Sequence, residues 1–244
     1  MINQYLLPDS AEQAVVELAS GAAVMGGGTT VMPAVHAGAL DATRVVGLQR
    51  AGLATVERSG GRTTVGAMTT LTTLSSLDGV PALSSAAAAV GGPALRNMAT
   101  VGGNLIVGGD VATALLALDA EVVLGSRRVP VERFWDEFRP GEEIVTAVAF
   151  DDDAGSVFVR WARRAANSPA VVCVAVAGGR VALGGVAPHP VRSRAAEAAA
   201  DPEAAGVAAA EEVDPPTDAI ASAWYRRRMT TLFVRRALEE SHGV

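Results

Sequence analysis

Two short strings in this 244-residue chain have the composition needed to hold an anion on main-chain atoms. The first is Gly26-Gly27-Gly28-Thr29-Thr30, directly after a short apolar run at residues 22–25. The second is Thr100-Val101-Gly102-Gly103-Asn104. Glycine lets a ligand approach the backbone and tolerates positive φ without a Cβ penalty. Successive amides in such turns converge on a concavity that suits phosphate oxygens. Two such turns in one domain could hold both phosphates of a dinucleotide, with threonine hydroxyls and an asparagine amide as further donors. The same strings also read as plain tight turns in a chain with 26 glycines. Neither is a Rossmann fingerprint, because residues 26–31 lack the third glycine at the required offset. A phosphate-loop Gly-Lys-Ser/Thr is excluded, since every basic residue is Arg and the chain has no Lys.

Other reactive side chains are sparse. The single cysteine, Cys173, excludes an intrachain disulfide and any Cys-based zinc or iron–sulfur site within the chain. It lies in an apolar run, where a buried, inert thiol is the default. His36, His189 and His242 are too far apart for metal-ligand spacing, and His36 reads as a surface or helix-end residue. No nucleophile–base pair stands out, so no catalytic side chain is assigned and hydrolysis or group transfer is not expected. Trp135, Trp161 and Trp224 read as core anchors. Arg226-Arg227-Arg228 reads as a solvated helix face, with docking of an acidic partner as the sharper option. The formal charge of −6, from 26 acidic against 20 basic residues, argues against a nucleic-acid partner. No run reaches the ~20 apolar residues of a membrane span. The chain opens without a basic-then-apolar leader, so a soluble, cytoplasmic protein is expected.

The elements that must position the two strings follow from pattern. With 50% apolar and 19% charged residues the chain has ample material for a core. Ser10 and Gln13 form a capping box for a helix that Gly21 stops. Strands are expected at residues 22–25, 44–48, 54–58 and 62–67, the last two joined at Ser59-Gly60-Gly61. Helices follow at 69–77 and 81–90, and Asp110 is placed to cap one carrying Val111, Leu115 and Leu118. Strands at 120–124 and 143–150 lead to Asp151-Asp152-Asp153, read as a solvated linker. Beyond it, 171–177 and 180–186 flank Gly178-Gly179 as an antiparallel hairpin, and a helix from 219 to about 240 closes the chain. Strands and helices mix without strict βαβ alternation, which favours α+β, with a boundary near 151–156.

Longer strings carry a family resemblance. Met25-Gly26-Gly27-Gly28-Thr29-Thr30-Val31-Met32-Pro33 resembles the first flavin loop, Ala-Gly-Gly-x-x-Leu-Leu-Pro, of the FAD-binding subunits of molybdenum hydroxylases (the carbon monoxide and xanthine dehydrogenase type). Arg96-Asn97-Met98-Ala99-Thr100-Val101-Gly102-Gly103-Asn104-Leu105 resembles the second, Arg-Asn-x-Gly-Thr-Ile-Gly-Gly-Asn-Leu. Flanking segments at 65–70, 115–120 and 182–188 look familial too, so the likeness runs nearly end to end.

The resemblance implies an α+β fold of the PCMH (vanillyl-alcohol-oxidase-like) type. A FAD-binding domain would span residues 1–153, in subdomains of about 1–52 and 53–153, with a small α+β C-terminal domain at 154–244. It places the FAD pyrophosphate on Gly26, Gly27, Gly28, Thr29 and Thr30, and on Thr100, Gly102, Gly103 and Asn104. Asp110 is the match for an aspartate that helps hold the cofactor. Ile144, after Pro140-Gly141-Glu142, matches an aliphatic beside the isoalloxazine, and Arg160, ahead of Arg163-Arg164, matches a basic residue near the flavin. The implied function is electron transfer from a 2Fe-2S small subunit through FAD to NAD or another acceptor, with substrate hydroxylated on a molybdenum-cofactor large subunit.

Two departures keep alternatives open. After Asn104 the family continues Ala-x-Ala-Asp-Pro-x-x-Asp, whereas this chain reads Ile106-Val107-Gly108-Gly109-Asp110, about three residues shorter. Where relatives place an aromatic over the flavin, this chain has Asn167-Ser168-Pro169. A flavin-free assembly scaffold of the same complex and a stand-alone flavin oxidoreductase are the competing readings.

Overall fold

The computed structural model describes residues 2–40, 43–165 and 167–243. Three sheets organise the described residues. β1 (Gln4–Leu6), β2 (Ala23–Met25) and β3 (Arg44–Gly47) form a parallel sheet in the order β1-β3-β2. β4 (Val56–Ser59), β5 (Arg62–Gly66), β6 (Glu121–Leu124), β7 (Arg127–Pro130) and β8 (Val145–Asp151) form an antiparallel sheet in the order β4-β5-β8-β6-β7. β9 (Val157–Ala162), β10 (Ala170–Ala177), β11 (Arg180–Gly184) and β12 (Val191–Arg192) form a second antiparallel sheet, β12-β11-β10-β9. The architecture is α+β, as the element pattern implied.

Helices pack on these sheets. α1 (Ala11–Leu18) starts as read: Ser10 Oγ accepts the Gln13 N–H at 3.3 Å, while Gln13 Oε1 reaches back to the Asp9 N–H at 2.9 Å. α2 (Val31–His36) follows the first glycine string. α3 (Leu71–Ser75), α4 (Pro81–Ala89), α5 (Pro93–Arg96), α6 (Val101–Ile106) and α7 (Asp110–Ala117) form a helical layer in which α6 meets β5 and β8 while α4 and α7 pack on the third sheet. All eight residues of α7 are buried, and it packs on α4, β10 and β11. One apolar core therefore joins Leu83, Leu115, Val122 and Phe134 to Ala175 and Ala182 of the third sheet. α8 (Phe134–Glu137) projects aromatic residues from below β7. On the third sheet lie α9 (Arg194–Glu197), α10 (Pro202–Glu212) and α11 (Ala223–Ser241), the last pair closely packed because Gly206 lets α10 meet the Thr231 carbonyl.

Several expectations need correction. Residues 151–156 are a pinned turn rather than a solvated linker: Asp152 N–H donates to Gly61 O, and buried Ser156 accepts the Ala82 N–H that begins α4. Arg226 is no surface residue; it is 2% exposed, donates to Val171 O and Gly185 O, and pairs with both oxygens of Asp218. Buried carbonyls that no strand partner takes need a donor, and a guanidinium supplies several in a fixed fork. Trp224 and Trp161 are 68% and 40% exposed, so neither anchors a core. Cys173 is buried as expected, and burial pushes its thiol pKa well up.

Candidate functional site

The main cavity, about 870 Å³, opens between the parallel sheet, the start of α2, α6, α8 and the loop before β8. That lies in the upper part of the usual range for cofactor sites. Gly26, Gly27, Gly28, Thr29 and Thr30 all line it, as do Thr100, Gly102, Gly103, Asn104 and Ile144. The fold thus brings ten of the twelve proposed cofactor residues to one cavity.

The two strings are in direct contact. A Cβ on Gly27 would fall 1.6 Å from the Met98 carbonyl oxygen, and one on Gly26 would lie 3.0 Å from Thr100 Oγ1. Gln49 Nε2 holds Gly26 O at 3.0 Å and is itself positioned by the Tyr5 hydroxyl. Gly28 adopts φ +73°, a left-handed conformation that turns the chain from β2 into α2. Among the described residues, the N–H groups of 26–31 donate to no protein acceptor, and neither Thr29 nor Thr30 spends its hydroxyl internally. Free amides at a cavity wall are a ready anion cradle.

The second string behaves differently, and here the expectation of an open amide concavity is corrected. Thr100 is the N-cap of α6: its Oγ1 accepts the Gly103 N–H at 3.2 Å and its carbonyl accepts the Asn104 N–H at 2.9 Å. Val101 and Gly102 donate to Thr69 O and Ala67 O. A Cβ on Gly102 would sit 2.9 Å from that of Ala67, so this glycine permits close helix packing instead of ligand approach. What the string offers the cavity is side chains. Asn104 Oδ1 accepts the Val111 N–H at 3.0 Å, capping α7 and leaving the amide NH₂ as a donor.

Asp110 and Arg160 lie outside the main cavity. They face a neighbouring cavity of about 450 Å³, also lined by Asn167, Ser168 and Pro169, which shares Val90, Leu95 and Asn104 with the first. Asp110 is the first residue of α7 and does not cap it; its Oδ2 lies 2.7 Å from Arg160 Nε, with both side chains nearly buried. Burial pushes the Asp110 pKa up, against the opposing pull of Arg160. Arg160 is held further by Ser168 O.

Sequence reading missed the aromatic wall. Trp135, Phe138 and His189 line the main cavity, with Trp135 and His189 stacked at 5.2 Å and an interplanar angle of 10°. The Phe134-Trp135-x-x-Phe138 cluster was the available signal. Glu143 is the one carboxylate among the lining residues, and Arg127 neutralises it at 2.7 Å. No uncompensated negative charge therefore opposes an anionic ligand there.

These features define a chain with a run of unpartnered main-chain amides on the wall of an open cavity, in a sequence without a lysine. The chain belongs to the FAD-binding subunits of the molybdenum hydroxylase family: residues 1–150 match the FAD binding domain in molybdopterin dehydrogenase, and 158–241 match the CO dehydrogenase flavoprotein C-terminal domain. It is 29% identical to the 6-hydroxypseudooxynicotine dehydrogenase complex subunit alpha of Paenarthrobacter nicotinovorans, over 97% of this chain and 93% of that protein. It is 36% identical to the nicotinate dehydrogenase FAD-subunit of Eubacterium barkeri, over 43% of this chain and 39% of that one. Among solved structures, a chain of the carbon monoxide dehydrogenase from Hydrogenophaga pseudoflava superposes with a TM-score of 0.89 at 26% identity, covering 100% of this chain and 98% of that chain. The chain is an FAD-binding component of an oxidoreductase family.

Proposed function

We propose that this chain relays electrons within a molybdenum-containing hydroxylase or dehydrogenase, from a 2Fe-2S partner subunit to NAD or another acceptor, on FAD held in the main cavity. The supporting observation is the run of unspent amides at 26–31 on the wall of a cavity whose one carboxylate is neutralised. Gly26, Gly27, Gly28, Thr29 and Thr30 would cradle the diphosphate. Thr100 and Asn104 would add hydroxyl and amide donors, while Gly102 and Gly103 let α6 lie close enough to present them. Ile144 would pack against the isoalloxazine. Asp110 and Arg160, next door, would set the charge environment at the flavin edge. FAD supplies the two-electron redox chemistry when bound; the protein supplies grip, orientation and electrostatics. The relatives fit this role, since one is named a subunit of a dehydrogenase complex and another an FAD-subunit. The free amides also speak against a flavin-free scaffold, which has no use for them.

The test has two parts. Purified chain is titrated with FAD, with ADP and riboflavin as competitors. A diphosphate cradle predicts a 1:1 yellow complex that ADP displaces and riboflavin displaces far less well. Tagged chain recovered from cells that make the whole complex is then analysed for iron and molybdenum. A folded chain that stays colourless with FAD refutes the site; FAD without any co-purifying metal refutes the complex.

A further inference from the structure

We propose that the exposed ridge of α11 carrying Trp224, Arg228, Leu232 and Arg236 is the docking surface for a carboxylate-bearing partner subunit. The inference rests on the reading of the chain as one component of a complex. These four residues recur every four positions along a 19-residue helix, so their side chains form one continuous i±4 ridge. Trp224 is 68% exposed and Leu232 41%, and both arginines are exposed. Beside the ridge, Trp161 of β9 extends the aromatic surface: its Nε1 donates to the Tyr225 hydroxyl, and its ring packs on Phe233.

Charge identifies what the ridge fits. Its neighbours on α11 are already satisfied: Arg227 pairs with Asp214, and Arg235 with Glu203 and Glu239. Among the described residues, Arg228 and Arg236 pair with no carboxylate; Arg228 only covers the Trp224 ring at 5.9 Å. Two unspent guanidiniums beside an indole supply Arg and Trp, two of the residue types in which interface hot spots are enriched. On a chain of net charge −6, an exposed ridge with two unpaired guanidiniums is complementary to an acidic partner and steers it to this face. Screening over about 10 Å makes that steering sensitive to salt.

The experiment compares tagged wild-type chain with W224A and with the double variant R228E/R236E, each recovered from cells that make the whole complex. Iron, molybdenum and FAD per chain are measured, together with the oligomeric state and Tm of the isolated chain. Docking at the ridge predicts FAD per chain and Tm at wild-type values, with iron and molybdenum per chain falling at least about tenfold. Wild-type metal content in both variants overturns the proposal while leaving the complex intact. Absence of metal from the wild type itself overturns the complex, and the ridge with it. A wild-type dimer that the variants convert to monomer assigns the ridge to a second copy of this chain and likewise overturns it.

Discussion

Replacing Gly27 by alanine tests whether the contact between the two glycine strings creates the site. Gly27 is outside the left-handed region, so its backbone accepts a Cβ and the cost is purely steric. That Cβ would lie 1.6 Å from Met98 O and 2.5 Å from the Met98 carbonyl carbon. Neither side yields easily: Gly26 O is held by Gln49, and the segment after Met98 is bonded to Leu71, Thr69 and Ala67. Reaching ordinary van der Waals separation moves the turns apart by about 2 Å. Overpacking of this kind costs about 1–3 kcal/mol of stability. A displacement that size also breaks hydrogen bonds from the 26–30 amides to a diphosphate. Hydrogen bonds to charged groups are worth about 1.5–3 kcal/mol each, so losing two weakens FAD binding by roughly 10²–10⁴-fold. Gly26→Ala is the internal control: its Cβ would lie 3.0 Å from the Thr100 side-chain oxygen rather than 1.6 Å from a backbone carbonyl, a contact relieved by a shift of a few tenths of an ångström, and should cost under about tenfold. Flavin fluorescence titration gives Kd, and thermal unfolding without FAD gives the stability change. If G27A loses stability yet binds FAD as tightly as wild type, the turn is a packing feature and the cradle lies elsewhere.

Three further outcomes follow from buried groups. Burial raises the Asp110 pKa above its ordinary 3.8, so folding takes up a proton there; that stabilisation is complete below the ordinary value and is lost as pH rises through the raised one. Unfolding free energy against pH should show this fall in the wild type, and the component should be missing from D110N. Arg226→Met strands two buried carbonyls and Asp218, at a cost of about 3–5 kcal/mol; calorimetry should show Tm lower by roughly 6–20 °C with FAD Kd within about twofold of wild type. Cys173, buried beside Thr113 with its thiol disfavoured as thiolate, should resist a disulfide reagent until denaturant opens the fold, and rapid native labelling would contradict that placement.

What the sequence made legible is what local chemistry decides. The Ser10/Gln13 cap, the hairpin at Ser59-Gly60-Gly61 and the pairing of β10 with β11 across Gly178-Gly179 each depend on a few adjacent residues. β9 was missed although Val157 and Val159 alternate inward, because the preceding aspartates and Gly155 read as linker. Arg226 was misplaced for a different reason. Its partners are Val171, Gly185 and Asp218, up to 55 residues away, and no local pattern announces a carbonyl left without a donor. The aromatic wall likewise depends on His189 arriving from the loop after β11 to stack on Trp135.

The glycine strings show the same limit at the site itself. As sequence they look alike, adjacent glycines near a threonine hydroxyl, and one physical role suggests itself for both. Folding separates the roles. At 26–30 the chain turns through Gly28 at positive φ, and the amides are left without partners. At 100–104 the threonine arrives with extended backbone as an N-cap, the chain enters a helix, and Thr100 together with the carbonyls of Ala67 and Thr69 consumes the amides. Gly102 then serves proximity, because only a hydrogen fits against Ala67. The second string, with Met98 just ahead of it, therefore shapes the cavity by bringing α6 close, placing Thr100 and Asn104 on its wall, and seating Gly27 against Met98. The shortened segment after it has a matching consequence: Asn104 reaches across residues 106–109 to cap α7, so the residue that faces the cavity also fixes the helix that carries Asp110.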